Sequence, residues 1–252
     1  MSMSFIKLRR ALAAGFVALL AAAHPLGAQQ VPAPLRFEIH PWPDAAVLGA
    51  ATVATLVPEL FRSRLSHATC APCSPAGLWG IDRGTVGPVR TVPARMSDVA
   101  FAGAAAGSVV LLLRSRPGEV AAARREDFAV LSEAMTVTAA VTDWMKVLVH
   151  RPRPGRYSSA ALDYTSPGNG LSFPSGHTSQ AFAAAAAYAS ILHRRGVAGR
   201  HRTEIAALFT TAAVTGVLRV VARKHFPTDV VAGAVLGTVI GWTVPALHRV
   251  AP

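Results

Sequence analysis

The feature that most constrains this chain is a series of long apolar runs in which charge is confined to the punctuation between them. Val230–His248 holds no Asp, Glu, Lys or Arg over 19 residues, and Val99–Leu113 holds none over 15. Such runs must be hidden from water, in a protein core or in lipid. Ala, Leu and Val dominate them, and none shows the period-two alternation of a half-buried strand. Candidate helices are Asp44–Phe61, Ser97–Leu113, Glu126–Val149, Thr178–His193, Thr203–Ala222 and Asp229–His248. Asp44, Ser97, Thr178, Thr203 and Asp229 stand where capping residues are expected. The expected fold is therefore all-α, a bundle of about six helices. Charged residues are only 15% of the chain and hydrophobic residues 52%. The usual charged share is roughly 25%, so disorder and a highly solvated surface are excluded.

A bilayer span needs about 20 mostly apolar residues, and several of these runs approach that length. The expectation is a transmembrane bundle. The stretches around Arg194–Arg202 and Arg114–Arg125 are strongly basic, which assigns them to the cytoplasm if the helices span. The links between the third and fourth helices and between the fifth and sixth then face the periplasm. The N-terminus bears on the same question. Lys7, Arg9 and Arg10 precede an uncharged run from Ala11 to Leu26, with small residues at Gly27 and Ala28. This is the order of a secretory signal peptide, with cleavage after Ala28; the other reading is an uncleaved membrane anchor. A cut signal followed by six crossings would reverse the basic loops. Either the signal is retained, or Asp44–Phe61 does not cross, or the domain is soluble and periplasmic. The expected organisation is residues 1–28 as signal or anchor, 29–96 as an N-terminal helix and periplasmic loop, and 97–252 as the helical core. The expected location is a bacterial-type inner membrane with the site facing the periplasm.

Twenty-five Lys and Arg against thirteen Asp and Glu give a formal charge of +12. That excess suits an anionic partner. The basic residues are scattered in short loops without a stripe or aromatic interleaving, which speaks against nucleic acid. A phosphorylated substrate at a membrane fits better.

The chemistry gathers in three short blocks. The first runs from Lys146 through His150, Arg151 and Arg153 to Pro154. The second is Pro174-Ser175-Gly176-His177, directly before an Ala-rich helix. The third runs from Arg219 through His225 to Asp229. Among them are at least three fixed cations, two histidines, a carboxylate and a helix N-terminus. Phosphoryl transfer needs these parts: cations and helix N–H groups neutralise the transferring oxygens. One histidine can attack phosphorus while a carboxylate fixes its tautomer, and a second can protonate the leaving oxygen. His225 and Asp229 are four residues apart, and Pro227 between them favours a turn in which they touch.

In order and spacing the blocks closely resemble the signature of the type 2 phosphatidic acid phosphatase and vanadium haloperoxidase superfamily, K-x6-R-P, P-S-G-H and S-R-x5-H-x3-D. Lys146, Arg153 and Pro154 fit the first, Pro174 to His177 the second, and Arg219, His225 and Asp229 the third. The resemblance covers about 126–247. Leu218 departs from it, standing where the pattern has Ser. Arg151-Pro152 is a second Arg-Pro pair, but only Arg153 has the six-residue gap from Lys146, so Arg151 is read as auxiliary.

The resemblance implies that His225 attacks phosphorus, Asp229 holds its ring, and His177 protonates the leaving group. It further implies that Lys146, Arg153 and Arg219 bind phosphate oxygens, with Ser175 and the Gly176 N–H completing the cradle. No metal or cofactor is implied. The expected function is a metal-independent phosphatase acting on a lipid phosphomonoester or diphosphate. The alternatives are a soluble periplasmic acid phosphatase, a vanadate-dependent haloperoxidase, for which the chain is short, and a non-catalytic anion-binding membrane protein. Cys70 and Cys73 are expected to form a local disulfide. His150 has no place in the pattern, while His193, His201 and His248 border basic loops and are expected to be solvated.

Overall fold

The computed structural model describes residues 36–65, 70, 72–114, 121–159 and 171–251, all within one compact unit of the chain, Leu35–Pro252. The signal or anchor expected over 1–28 lies outside the described residues. Six long helices are present: α1 (Pro41–Leu60), α2 (Thr91–Arg114), α3 (Ala121–Val149), α4 (Gly176–Arg194), α5 (Arg202–Val221) and α6 (Pro227–Leu247). The fold is the expected all-α bundle. A two-residue antiparallel ladder, β1 (Arg36–Phe37) against β2 (Val250–Ala251), ties the first described residues to the last. Sequence reading gave no hint of it, since two residues carry no periodicity.

The helices start earlier than the expected caps in most cases. α1 opens at Pro41, and Asp44 instead reaches back to accept the His40 N–H at 2.8 Å. α2 opens at Thr91, which leaves Ser97 inside the helix, donating to the Ala94 carbonyl at 2.6 Å. Ser175, not Thr178, precedes α4, and the hydroxyls of the two lie 2.8 Å apart. In α6 the chain turns at Phe226, Pro227 takes the first helical position, and Asp229 accepts the Phe226 N–H at 2.9 Å. Proline there costs no hydrogen bond and presets φ, so the start of α6 is sharply defined.

Helix α4 is the centre of the bundle. Ala181 and Ala183–Ala187 are almost completely buried, as are Tyr188, Ile191 and Leu192. Its closest neighbour is α6, which presents Gly233, Gly237 and Gly241 at four-residue spacing. A Cβ on Gly237 would lie 2.0 Å from the Ser179 carbonyl oxygen, and one on Gly241 2.4 Å from that of Ala183. Small residues at i, i+4 and i+8 let the two backbones touch. The opposite face of α6 shows Val231, Val235 and Val239, each more than half exposed. Among the described residues three helices, α2, α5 and α6, are long and apolar enough to cross a membrane.

At the end of the bundle away from the three sequence blocks, Arg195 is buried against Asp127 at 2.7 Å and Glu126 at 3.2 Å, and stacks over Phe37. His248, expected to be solvated, is 9% exposed and pairs with Glu133 on α3 at 2.9 Å. The reason is that α6 ends against α3 and not in open solvent.

The glycine contacts give a stability test. Gly237→Ala must push backbone away from backbone, and overpacking of this kind costs about 1–3 kcal/mol. Gly49 in α1 has nothing within 4 Å of its would-be Cβ. Gly49→Ala should therefore stabilise by up to about 1 kcal/mol through helix propensity. Chemical denaturation of the two variants beside wild type checks the opposite signs.

Candidate active site

Each block of the sequence signature sits at a helix end, and all of these ends meet. Lys146 is in the last turn of α3, Arg219 in the last turn of α5, and Ser175 to His177 open α4. Arg153 precedes the short turn Pro154–Tyr157, and His225 lies in the link between α5 and α6. Asp229 is in the first turn of α6. The convergence is direct at Gly176, where a Cβ would lie 3.0 Å from the Lys146 ammonium nitrogen. Glycine at this position leaves the lysine room over the start of α4, whose free N–H groups favour an anion.

The electrostatics carry the same picture. Burial, then Arg153, Arg219 and Lys146 in turn, hold the His225 imidazole well below its ordinary pKa. His177 is pushed down to about 4 by burial and by Arg219 and Lys146, against the opposing pull of Asp98. Arg153 falls to about 10, chiefly because it is buried and then because Arg219 is near. Three cations thus surround two neutral histidines, a field made for a multiply charged anion.

Partners in the resting site are specific. Lys146 is held by Asp143, one helical turn back, at 2.6 Å. Arg219 donates from Nη1 to Ser97 Oγ at 3.1 Å and to Asp98 Oδ1 at 3.2 Å. Its Nε–H is buried with no acceptor among the described residues. The same Asp98 oxygen lies 3.0 Å from His177 Nε2. Asp98 therefore bridges one cation and one histidine from α2, with its side chain 57% exposed. Leu218 precedes Arg219 on α5, and the serine that Arg219 binds is Ser97 on α2.

The His225 ring has two neighbours at one nitrogen. Its Nδ1 lies 2.8 Å from the Ser172 carbonyl oxygen and 3.6 Å from Asp229 Oδ2. A carbonyl only accepts, so Nδ1 carries the proton and the lone pair of the neutral ring is on Nε2. The ring is fixed by Ser172, and Asp229 fixes Ser172, whose hydroxyl donates to Oδ2 at 2.6 Å. Arg151, read as auxiliary, is more central than that. It donates to Asp229 at 2.5 Å, Thr228 at 2.7 Å and Asp82 at 2.7 Å, and stacks over Phe226. Ser175, expected in the cradle, is fully buried; its N–H donates to the Asp229 carbonyl at 3.0 Å. His150 ends α3 with φ of 49°, a conformation glycine favours, and its Nε2 meets the Leu65 carbonyl.

Sequence reasoning missed Asp82, Ser97, Asp98 and Ser172. The first three precede all three signature blocks, and Ser172, whose hydroxyl binds Asp229 and whose carbonyl meets His225, lies in none of them. Cys70 and Cys73 are disulfide-bonded as expected.

Residues 128–251 match the model of the PAP2 superfamily. Among solved structures the chain is similar to one described as the first transmembrane PAP2 type phosphatidylglycerolphosphate phosphatase, from Bacillus subtilis. Identity is 19%, over 94% of this chain and 93% of that one, with a TM-score of 0.41. No curated protein matches the chain.

The field around His177 sets the sign of two substitutions. Asp98→Asn removes the group that favours the imidazolium, so His177 should titrate still lower than about 4. Arg219→Ala removes a repelling cation and should raise it. NMR titration of the labelled imidazole in each variant checks both directions.

Proposed function

We propose, for a chain that belongs through residues 128–251 to the PAP2 superfamily, a metal-independent phosphatase acting on a lipid phosphomonoester or diphosphate through a phosphohistidine. The observation that carries the reading is the convergence of Lys146, Arg153 and Arg219 on His225, a buried neutral histidine whose lone pair is left on Nε2 by the Ser172 hydrogen bond. Binding alone would need the cations and not this tautomer.

In the proposed reaction, Nε2 of His225 attacks phosphorus as the bond to the leaving oxygen breaks. His177, protonated once the dianionic substrate offsets the guanidinium field, gives its proton to that oxygen. Water then attacks the phosphohistidine, losing its proton to His177, and inorganic phosphate leaves with His225 restored. Lys146, Arg153 and Arg219 stabilise the equatorial oxygens in both steps, with the unpaired Arg219 Nε–H as a ready donor.

A lipid substrate is supported by the three helices apolar enough to span and by the exposed valine faces of α5 and α6. An open apolar cleft of about 400 Å³, lined by Ala105, Ala106, Val109, Phe128 and Met135, lies between α2 and α3. It begins one helical turn along α2 from Phe101, whose ring packs 4.9 Å from that of His177. An acyl or isoprenyl chain fits such a cleft. The proposed location is a membrane, with the site on the periplasmic side.

Brief reaction of the purified protein with labelled p-nitrophenyl phosphate should trap an acid-labile, base-stable phosphoprotein, lost in His225→Ala. His177→Ala should keep the trap with this activated substrate and lose about 10²–10⁴-fold on alkyl phosphates, where the leaving oxygen needs a proton. Label on Ser or Asp, or a requirement for added Mg²⁺, contradicts the mechanism. A release panel of phosphatidate, isoprenyl diphosphates and soluble monoesters reads the substrate class.

A further inference from the structure

We infer that Asp82, acting through Arg151, Asp229 and Ser172, is a positioning residue for His225. The inference rests on the proposal that His225 is the nucleophile, and it adds to the site a segment that precedes the family match by some distance.

Asp82 lies on a one-turn helix, Gly80–Arg83, and is completely buried. A buried carboxylate is costly unless its oxygens are paired, and here they are. Oδ2 accepts from Arg151 Nη2 at 2.7 Å and from the Thr228 hydroxyl at 2.7 Å. Oδ1 accepts the Thr228 N–H at 3.2 Å. Thr228 is the second residue of α6, so this N–H is one of the donors that a helix start leaves without an internal partner. A single carboxylate therefore fixes both Arg151 and the beginning of α6.

From Arg151 the contacts lead to the ring. Its Nη1 donates to Asp229 Oδ1 at 2.5 Å, and its backbone carbonyl accepts the Ser172 N–H at 2.8 Å. Asp229 Oδ2 accepts the Ser172 hydroxyl at 2.6 Å. Ser172 is thus gripped by Arg151 on one side and Asp229 on the other, and its carbonyl sets the His225 tautomer. Two carboxylates share one guanidinium. If Asp82 loses its charge, Arg151 has Asp229 as its remaining anionic partner and is free to turn toward it, shifting the oxygen that anchors Ser172.

The segment bearing Asp82 is itself tied to the first block. The Cys73 N–H donates to the Arg156 carbonyl at 2.8 Å, and Arg156 Nη2 donates to the Cys70 carbonyl at 2.8 Å. The disulfide-bonded turn is in this way docked beside the Arg151–Pro154 stretch. None of the three cations proposed for the phosphate binds Asp82: Lys146 pairs with Asp143, Arg219 with Asp98, and Arg153 donates to the Lys224 and Leu171 carbonyls. A disturbance at Asp82 should accordingly reach the attack step and leave anion binding alone.

The test is a double-mutant cycle on the full-length protein with p-nitrophenyl phosphate. Asp82→Asn should lower kcat by about tenfold or more, while the inhibition constant for inorganic phosphate stays within about threefold of wild type. Asp229→Asn combined with Asp82→Asn should be within about threefold of Asp229→Asn alone, because both act on one chain of contacts. Thr228→Val keeps both charges and most of the volume, and should reduce kcat in the same direction by less. The inference is overturned if kcat is unchanged in Asp82→Asn and Thr228→Val, if the losses at 82 and 229 multiply, or if the phosphate constant rises in step with the loss of turnover. Absence of label on His225 in wild type would instead remove the nucleophile assignment, while the cycle still decides whether residues 82 and 229 are coupled.

Discussion

The close approach of α4 and α6 is the contact on which the rest of the site depends. Gly233, Gly237 and Gly241 allow the α6 backbone to lie directly on the Ser175–Ala183 stretch of α4. The first of these contacts, Gly233 against the Ser175 carbonyl at 2.7 Å, is at the mouth of the site. The two helix starts are therefore held side by side, with the Ser175 N–H on the Asp229 carbonyl. His177 and Asp229 are placed by that packing, and His225 follows because the link into α6 is fixed by Pro227. A Cβ at any of the three would meet an α4 backbone oxygen and force one helix to shift.

A second constraint is charge. Three cations gathered at one end of an apolar bundle repel one another, and the resting structure moderates this with carboxylates of its own. Asp143 takes Lys146, and Asp98 lies against Arg219 and His177. Asp98 is exposed, so in the proposed reaction an arriving dianion displaces its hold on Arg219 at little desolvation cost. Asp82 and Asp229 are different: both are enclosed and both are committed to Arg151. The exposed carboxylate is exchangeable and the buried pair is architectural.

The helices and the three motifs were legible in the sequence because both depend on local spacing. Apolar runs located all six helices, and the blocks Lys146–Pro154, Pro174–His177 and Arg219–Asp229 marked the helix ends that meet. Starts were misjudged by up to six residues at α2, where Ser97 resembles a cap but binds Arg219 from inside the helix. Asp82 and Asp98 were invisible for another reason. Each is a single carboxylate far from its partners in the chain, and nothing in a single sequence brings residue 82 to 151 or 98 to 219. Ser172 stands outside the three blocks, and its two contacts, hydroxyl to Asp229 and carbonyl to His225, reach residues more than fifty positions away. The glycine stripe was present in the sequence at regular spacing, but its meaning lies in the partner helix.

A structure determined with orthovanadate bound decides whether His225 is the nucleophile, because vanadate can adopt the five-coordinate geometry of the transferring phosphorus. Vanadium is expected within bonding distance of His225 Nε2, ringed by Lys146, Arg153 and Arg219, with His177 facing the apical oxygen and Asp98 released from Arg219. Vanadate lodged elsewhere, or facing His225 Nδ1 and not Nε2, would rule that role out.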